Sequence, residues 1–204
     1  MTGTMKTMCV TGKSAATDAD FDRLIGGFRD DAPDYFEVRD KEASDRRVLD
    51  LLRRAVAGLP RTRVLANSRF DLALSAGAAG VILPEEGLPV EPVRRETPRG
   101  FLVGKSTHSA DAARAAAARG ADLVLLGPIF STPSKPASPL TPSVLDEIGE
   151  AWPEEAELFL IGGIDRKGIG ALRSRADRFA GVAAIRLFED SGDPGAAVRE
   201  ARNR

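Results

Sequence analysis

The chain is 204 residues long, with 29 lysines and arginines set against 30 aspartates and glutamates, a single histidine and a single cysteine. Such a balance argues against a nucleic-acid or anionic-membrane partner, which requires surplus basic surface. Cys9 alone excludes an internal disulfide or a cysteine cluster, His108 alone excludes a multi-histidine metal site, and no apolar run is long enough to span a membrane. Met1–Lys6 has no long apolar region behind it and does not read as a signal peptide. The expectation is a soluble cytoplasmic protein, one domain over residues 1–204. The sequence does not fix an oligomeric state, and a homo-oligomer stays open.

Along the chain, short apolar runs alternate with longer Ala-, Leu- and Arg-rich stretches. Met8–Thr11 and Tyr35–Arg39 are the first two predicted strands. A helix follows over Asp45–Ala57, where Val48, Leu51, Leu52 and Ala55 recur at spacings of three and four. Val64–Ala66 and Gly80–Leu83 are the next strands, and the connection after the latter is the weakest helical stretch, because Pro84, Pro89 and Pro92 stand near its start. Phe101–Gly104 is followed by the alanine-rich Ser109–Arg119, with Ser109 as N-cap and Gly120 as stop. Leu123–Leu126, Leu158–Ile161 and Val182–Ile185 complete the strands, and Asp165–Ala176 and Pro194–Arg202 the helices. Mostly apolar strands are what a parallel sheet covered on both faces needs. Eight of them in a row, each with a helical pattern able to follow, predict an α/β fold of the closed (β/α)8 TIM-barrel type, with an open doubly wound sheet as the alternative.

In such a barrel the residues after each strand line the active-site end. Here they are rich in cations and hydroxyls: Arg39 and Lys41, Asn67, Ser106 and His108, Thr132, Ser134 and Lys135, Gly162 and Gly163, and Arg186. That composition suits an anionic substrate. The glycine pair Gly162–Gly163 lets backbone N–H groups approach a phosphate, or merely supplies a tight turn. Lys135 lies in a loop stiffened by Pro128, Pro133 and Pro136, and is either a ligand cation or a solvated lysine. Arg39 and Lys41 fall on one face if the strand stays extended. His108 is about four residues past its predicted strand; it is either a proton carrier at neutral pH or a polar turn residue.

These stretches also occur in the order of a known superfamily. Phe36–Lys41, Asn67–Leu74, Gly104–Ser109 (GKSTHS), Gly120–Lys135 and Ile161–Ile164 together resemble the thiamine-phosphate synthase and thiazole tautomerase (TenI) superfamily, over roughly Met8–Glu189. The resemblance implies a (β/α)8 barrel and one of two chemistries. The synthase joins a pyrimidine-methyl pyrophosphate to a thiazole phosphate, expels pyrophosphate, and uses Mg²⁺ held by two aspartates. Ser68 and Gly87 stand at those aspartate positions here, and Glu85 and Glu86 are out of register. The tautomerase moves a proton on thiazole phosphate carboxylate, needs neither aspartate, and uses a histidine at the position of His108; Pro84 after Leu83 also looks like that branch.

The resemblance therefore implies the tautomerase, a metal-free isomerase of thiamine biosynthesis acting on a thiazole phosphate through His108. The alternatives are the synthase, with Mg²⁺, and a non-catalytic binder of a thiamine-pathway phosphate. By the same resemblance Gly162, Gly163, Ile185 and Arg186 would hold the substrate phosphate, with Arg186 replacing a usual serine. Arg39, Lys41, Asn67, Ser106, Thr132, Ser134 and Lys135 would bind the rest of the substrate. In the synthase Arg39, Lys41, Asn67 and Lys135 would grip pyrophosphate.

Overall fold

The computed structural model describes residues 4–12, 17–132, 138–148 and 152–203. In chain order the elements are β1 Lys6–Val10, α1 Asp18–Gly26, β2 Tyr35–Val38, α2 Asp45–Gly58, β3 Arg63–Asn67, α3 Phe70–Ala76, β4 Gly80–Leu83 and α4 Val90–Glu96. They continue as β5 Leu102–Thr107, α5 Ala110–Ala118, β6 Leu123–Leu126, α6 Val144–Ile148, β7 Glu157–Ile161, α7 Arg166–Leu172, β8 Gly181–Ala184, α8 Arg186–Glu189 and α9 Pro194–Arg202. Every strand pairs in parallel with the next, and β8 pairs back onto β1 with Lys6 opposite Gly181 and Cys9 opposite Ala184. The sheet is therefore closed, and the doubly wound alternative is excluded.

Strand residues alternate between two cores, as a pleat of period two demands. Met8, Val10, Tyr35, Leu65, Ile82, Leu123, Leu125, Phe159 and Ala183 fill the barrel interior. Their neighbours Cys9, Phe36, Val64, Ala66, Val81, Val124, Leu158 and Leu160 face outward into the layer under the helices. There Phe36 meets Phe21 and Phe28 edge to face, at 6.0 and 6.3 Å between ring centres. Each such buried ring is worth about 2 kcal/mol in area removed from water.

Helix ends follow their sequence signals. Ser109 Oγ accepts from the Ala112 N–H at 3.1 Å, and the chain leaves α5 through Gly120 at φ +82°. The helix after β4 forms despite its prolines: Pro89 is the N-cap and Pro92 lies in the first turn, where no intrahelical N–H is needed. The helix expected over Asp165–Ala176 is shorter. Asp165 caps it by accepting from the Gly168 N–H at 2.7 Å, but Gly168 and Gly170 weaken its body, and the chain tightens into a 3₁₀ turn over Arg173–Arg175. None of the described helices is long and apolar enough to cross a membrane.

The fifth strand departs most from expectation. It runs on to Thr107, because Lys105, Ser106 and Thr107 pair with Val124, Leu125 and Leu126 of β6. Ser106 is therefore a strand residue on the inward face, and His108 stands immediately at the strand's end.

Candidate active site

The strands' C-terminal ends form the mouth of the barrel. On its β1–β2 side Thr11, nearly fully buried, ties two strands together. Its N–H donates to the Glu37 carbonyl at 2.9 Å, its hydroxyl donates to the Arg39 carbonyl at 3.0 Å, and the Arg39 N–H donates to Thr11 Oγ1 at 2.7 Å. The backbone of Arg39 is thus fixed to the barrel wall, and its side chain is half-buried. Lys41 is not its partner on an extended face. The chain leaves β2 at Val38 and turns where Asp40 Oδ1 accepts the N–H groups of Glu42 and Ala43 at 3.0 and 3.1 Å, leaving Lys41 exposed.

Asn67 ends β3. Its Nδ2 donates to Glu37 Oε1 at 2.8 Å, and its Oδ1 accepts from Ser68 Oγ at 3.3 Å. The amide is held at both ends, which orients it for a ligand at the mouth. Glu37 is 2 % exposed. Burial pushes its carboxyl up to about 7, while the Asn67 amide and the Arg39 guanidinium partly offset that rise. Neither Glu37 nor Thr11 was singled out by the sequence argument. The available signal was an ionisable residue in the otherwise apolar run Tyr-Phe-Glu-Val, two residues from Arg39.

His108 sits over the β4 side of the mouth. Its Nδ1 is bonded to Glu85 Oε2, and its backbone N–H donates to Glu85 Oε1 at 3.3 Å. Two contacts to one carboxylate fix the ring relative to the loop after β4, and the ring stays about 40 % exposed. Ser106 is half-buried on the inward face. Lys105 points the other way: its Nζ donates to the Leu88 carbonyl at 3.0 Å, closing the loop against the outside of the strand, and burial lowers its pKa.

On the opposite side, Gly162 and Gly163 have φ of +96° and +65°. A Cβ on Gly162 would lie 2.5 Å from Pro128 Cα, and one on Gly163 2.6 Å from the Ser131 carbonyl oxygen. The loops after β6 and β7 are stacked, with Ile129 N–H donating to the Ile161 carbonyl at 2.9 Å and Phe130 N–H to the Gly162 carbonyl at 3.0 Å. The glycines are thus required by loop packing, whatever else their N–H groups hold. Ile185 is the half-buried residue before α8, and Arg186, the first residue of that short helix, is exposed beside it. Thr132 is half-buried after β6; Ser134 and Lys135 lie outside the described residues.

The donor set does not fit a divalent cation. Ser68 offers a hydroxyl bonded to Asn67, and Gly87 offers no side chain while its N–H closes a turn on the Pro84 carbonyl at 2.8 Å. Of the nearby carboxyls, Glu85 is engaged by His108 and Glu37 by Asn67. Among the described residues no group of three or more His, Cys, Asp or Glu side chains is placed to hold a metal.

Comparison with known proteins fixes the family. A thiamine-phosphate synthase of Anaeromyxobacter dehalogenans is 42 % identical over 165 residues, covering 79 % of this chain and 72 % of that protein. A thiamine-phosphate synthase of Gloeobacter violaceus is 39 % identical over 172 residues, covering 82 % of this chain but 50 % of that protein, so this chain spans half of that relative's length. The solved structure of a thiamine phosphate pyrophosphorylase from Pyrococcus furiosus has the same fold, with a TM-score of 0.81 at 22 % identity over 97 % of this chain and 94 % of that one. These relatives overturn the tautomerase expectation, and with it the isomerase assignment. That expectation leaned on His108, on Pro84 and on what Ser68 and Gly87 lack, and neither one histidine nor a missing ligand pair specifies which reaction the remaining side chains serve. Residues 7–186 match the family described as TMP-TENI, thiamine monophosphate synthase, and the chain belongs to it.

Proposed function

We propose that this chain works in thiamine biosynthesis as a thiamine-phosphate synthase, a transferase that joins a pyrimidine-methyl pyrophosphate to a thiazole phosphate. In that reaction the bond from the pyrimidine's methylene carbon to pyrophosphate breaks, pyrophosphate leaves with the electron pair, and the thiazole nitrogen supplies the pair for the new carbon–nitrogen bond. What carries the reading is the 42 % identity to a protein of that name across 79 % of the chain. The make-up of the mouth supports it.

Arg39 and Asn67 are assigned to the pyrophosphate. Thr11 and Glu37 hold both in place, so little ordering remains to be done when the anion arrives. Lys41 and Lys135 are the further cations expected to approach that group. Gly162 and Gly163, with the N–H of Ile185 and the guanidinium of Arg186, are assigned to the thiazole phosphate on the opposite side. Ser106 and Thr132, with Ser134 from the same loop as Thr132, are assigned to the rings or to neighbouring oxygens. His108, fixed by Glu85, borders the mouth and has no proton step assigned to it.

The test is to incubate the full chain with hydroxymethylpyrimidine pyrophosphate and thiazole phosphate, with MgCl₂ and with EDTA, and to separate the products by chromatography. Thiamine phosphate and pyrophosphate in equal amounts are expected in at least one condition. Tight binding of both substrates without product in either condition overturns the synthase reading. It would leave a binder of thiamine-pathway phosphates.

A further inference from the structure

Among the side chains gathered at the mouth, Glu37 has the wrong sign for a site that receives anions. It lies on the inward face of β2, 2 % exposed, and one of its oxygens accepts from the Asn67 amide. Among the described residues no other hydrogen-bond donor reaches its carboxyl group. The strands packed against β2 bring no charge to it: β1 turns Met8 and Val10 inward and is followed by Thr11, and β3 turns Leu65 and Asn67 inward. Arg39 is the described charged group that acts on it.

Arg39 and Asn67, the two residues acting on this carboxyl, are also the pair assigned to the pyrophosphate. An anion bound there meets a buried carboxylate with little water between them. Like charges in that setting repel strongly, and the weaker acid takes up a proton. A protonated Glu37 still accepts from Asn67 at Oε1 and carries its proton on the other oxygen, where it becomes a donor toward the mouth.

We propose that Glu37 is a positioning residue that couples anion binding to proton uptake: the mouth takes a pyrophosphate group with Glu37 in its acid form. The inference rests on the synthase reading above. No covalent step is involved; one proton comes from solvent as the anion binds and returns to solvent as it leaves. The carboxyl's raised pKa, about 7, places that exchange in the neutral range.

The experiment is calorimetric titration of the full chain with inorganic pyrophosphate, in paired buffers of low and high ionisation enthalpy, for the wild type and Glu37→Gln. Pyrophosphate's own titration is common to both proteins, so their difference reads Glu37. At pH 8 the wild type is expected to take up close to one proton more than the variant, and between pH 6 and pH 8 its affinity is expected to fall about tenfold relative to the variant. Equal proton uptake in the two proteins, with binding intact, overturns the inference and leaves the synthase reading standing. Absence of pyrophosphate binding at every pH overturns both. If Glu37→Gln does not fold, carbon-13 carboxyl NMR of the wild type reads the same linkage. The glutamate signal with a midpoint near neutrality is expected to move up by about two units or more on addition of pyrophosphate, and an unmoved midpoint refutes the coupling.

Discussion

Tyr35 and Glu37 are two residues apart on β2, point into the same barrel and are both buried, yet their surroundings differ. At the bottom of the barrel the Tyr35 hydroxyl donates to Glu157 Oε2 at 3.0 Å and accepts from Arg63 at 3.0 Å, while Lys6 pairs with the other Glu157 oxygen. Burial, then Glu157, raises the Tyr35 pKa above its ordinary value, so the phenol stays neutral. At the mouth Glu37 has one described hydrogen-bond partner and titrates near neutrality. One strand therefore carries a polar group satisfied within the fold at its start and a polar group left for a ligand at its end. This is how a barrel separates stability from activity along a single element.

The sharpest way to break this comparison is to remove a group at each end. Arg39→Ala is expected to slow thiamine-phosphate formation by about 100-fold or more, with the melting temperature shifted by no more than about 2 °C. Tyr35→Phe is expected to do the reverse, costing about 1–2 kcal/mol in chemical denaturation with turnover unchanged. Equal effects of the two variants on turnover would erase the division.

The next largest effect is a pH dependence of stability. The Glu37 carboxyl titrates at about 7 in the folded chain against 4.5 ordinarily. Between those values the folded state holds a proton that the unfolded state releases, so stability is greatest below the lower value and falls as pH rises through the higher one. The loss amounts to at most about 3 kcal/mol and levels off above pH 8. Denaturation midpoints of the wild type compared with Glu37→Gln from pH 5 to pH 8 check it; the variant's profile should lack this fall.

Gly162→Ala sharpens the comparison from the other side of the mouth. At φ +96° with a backbone atom 2.5 Å from the new Cβ, it is expected to cost about 2 kcal/mol or more and to lower phosphate affinity together with stability. The smallest effect is expected from Ser109→Ala, which removes the α5 cap beside His108 at a cost of about 1 kcal/mol, read as a small drop in melting temperature.

The sequence pattern carried the fold well, because parallel barrel strands are apolar on both faces and each was visible as a short run between helical stretches. The boundary at β5 was missed because Lys105, Ser106 and Thr107 are polar, and it is pairing with the neighbouring strands that makes them strand. Arg39 and Asn67 were legible as residues of the barrel mouth from their position at strand ends. The bend that separates Lys41 from Arg39 depends on the Asp40 side chain, which a period-two argument does not see. The Glu85–His108 contact joins residues 23 apart, and nothing local in GKSTHS points to it. Glu37 was present in the motif, but its burial, and so its chemistry, follows only once the barrel closes around it.

Ser68 follows Asn67 with φ +66°, a left-handed conformation that aspartate and asparagine adopt more readily than serine. Its N–H is pinned to the Ile82 carbonyl at 2.9 Å, so β4 imposes that shape from outside. The main chain here is a mould for an acidic or amide side chain, filled by a shorter one. Ser68→Asp would therefore ease the local geometry, so a carboxylate could be set at this rim position without a backbone penalty.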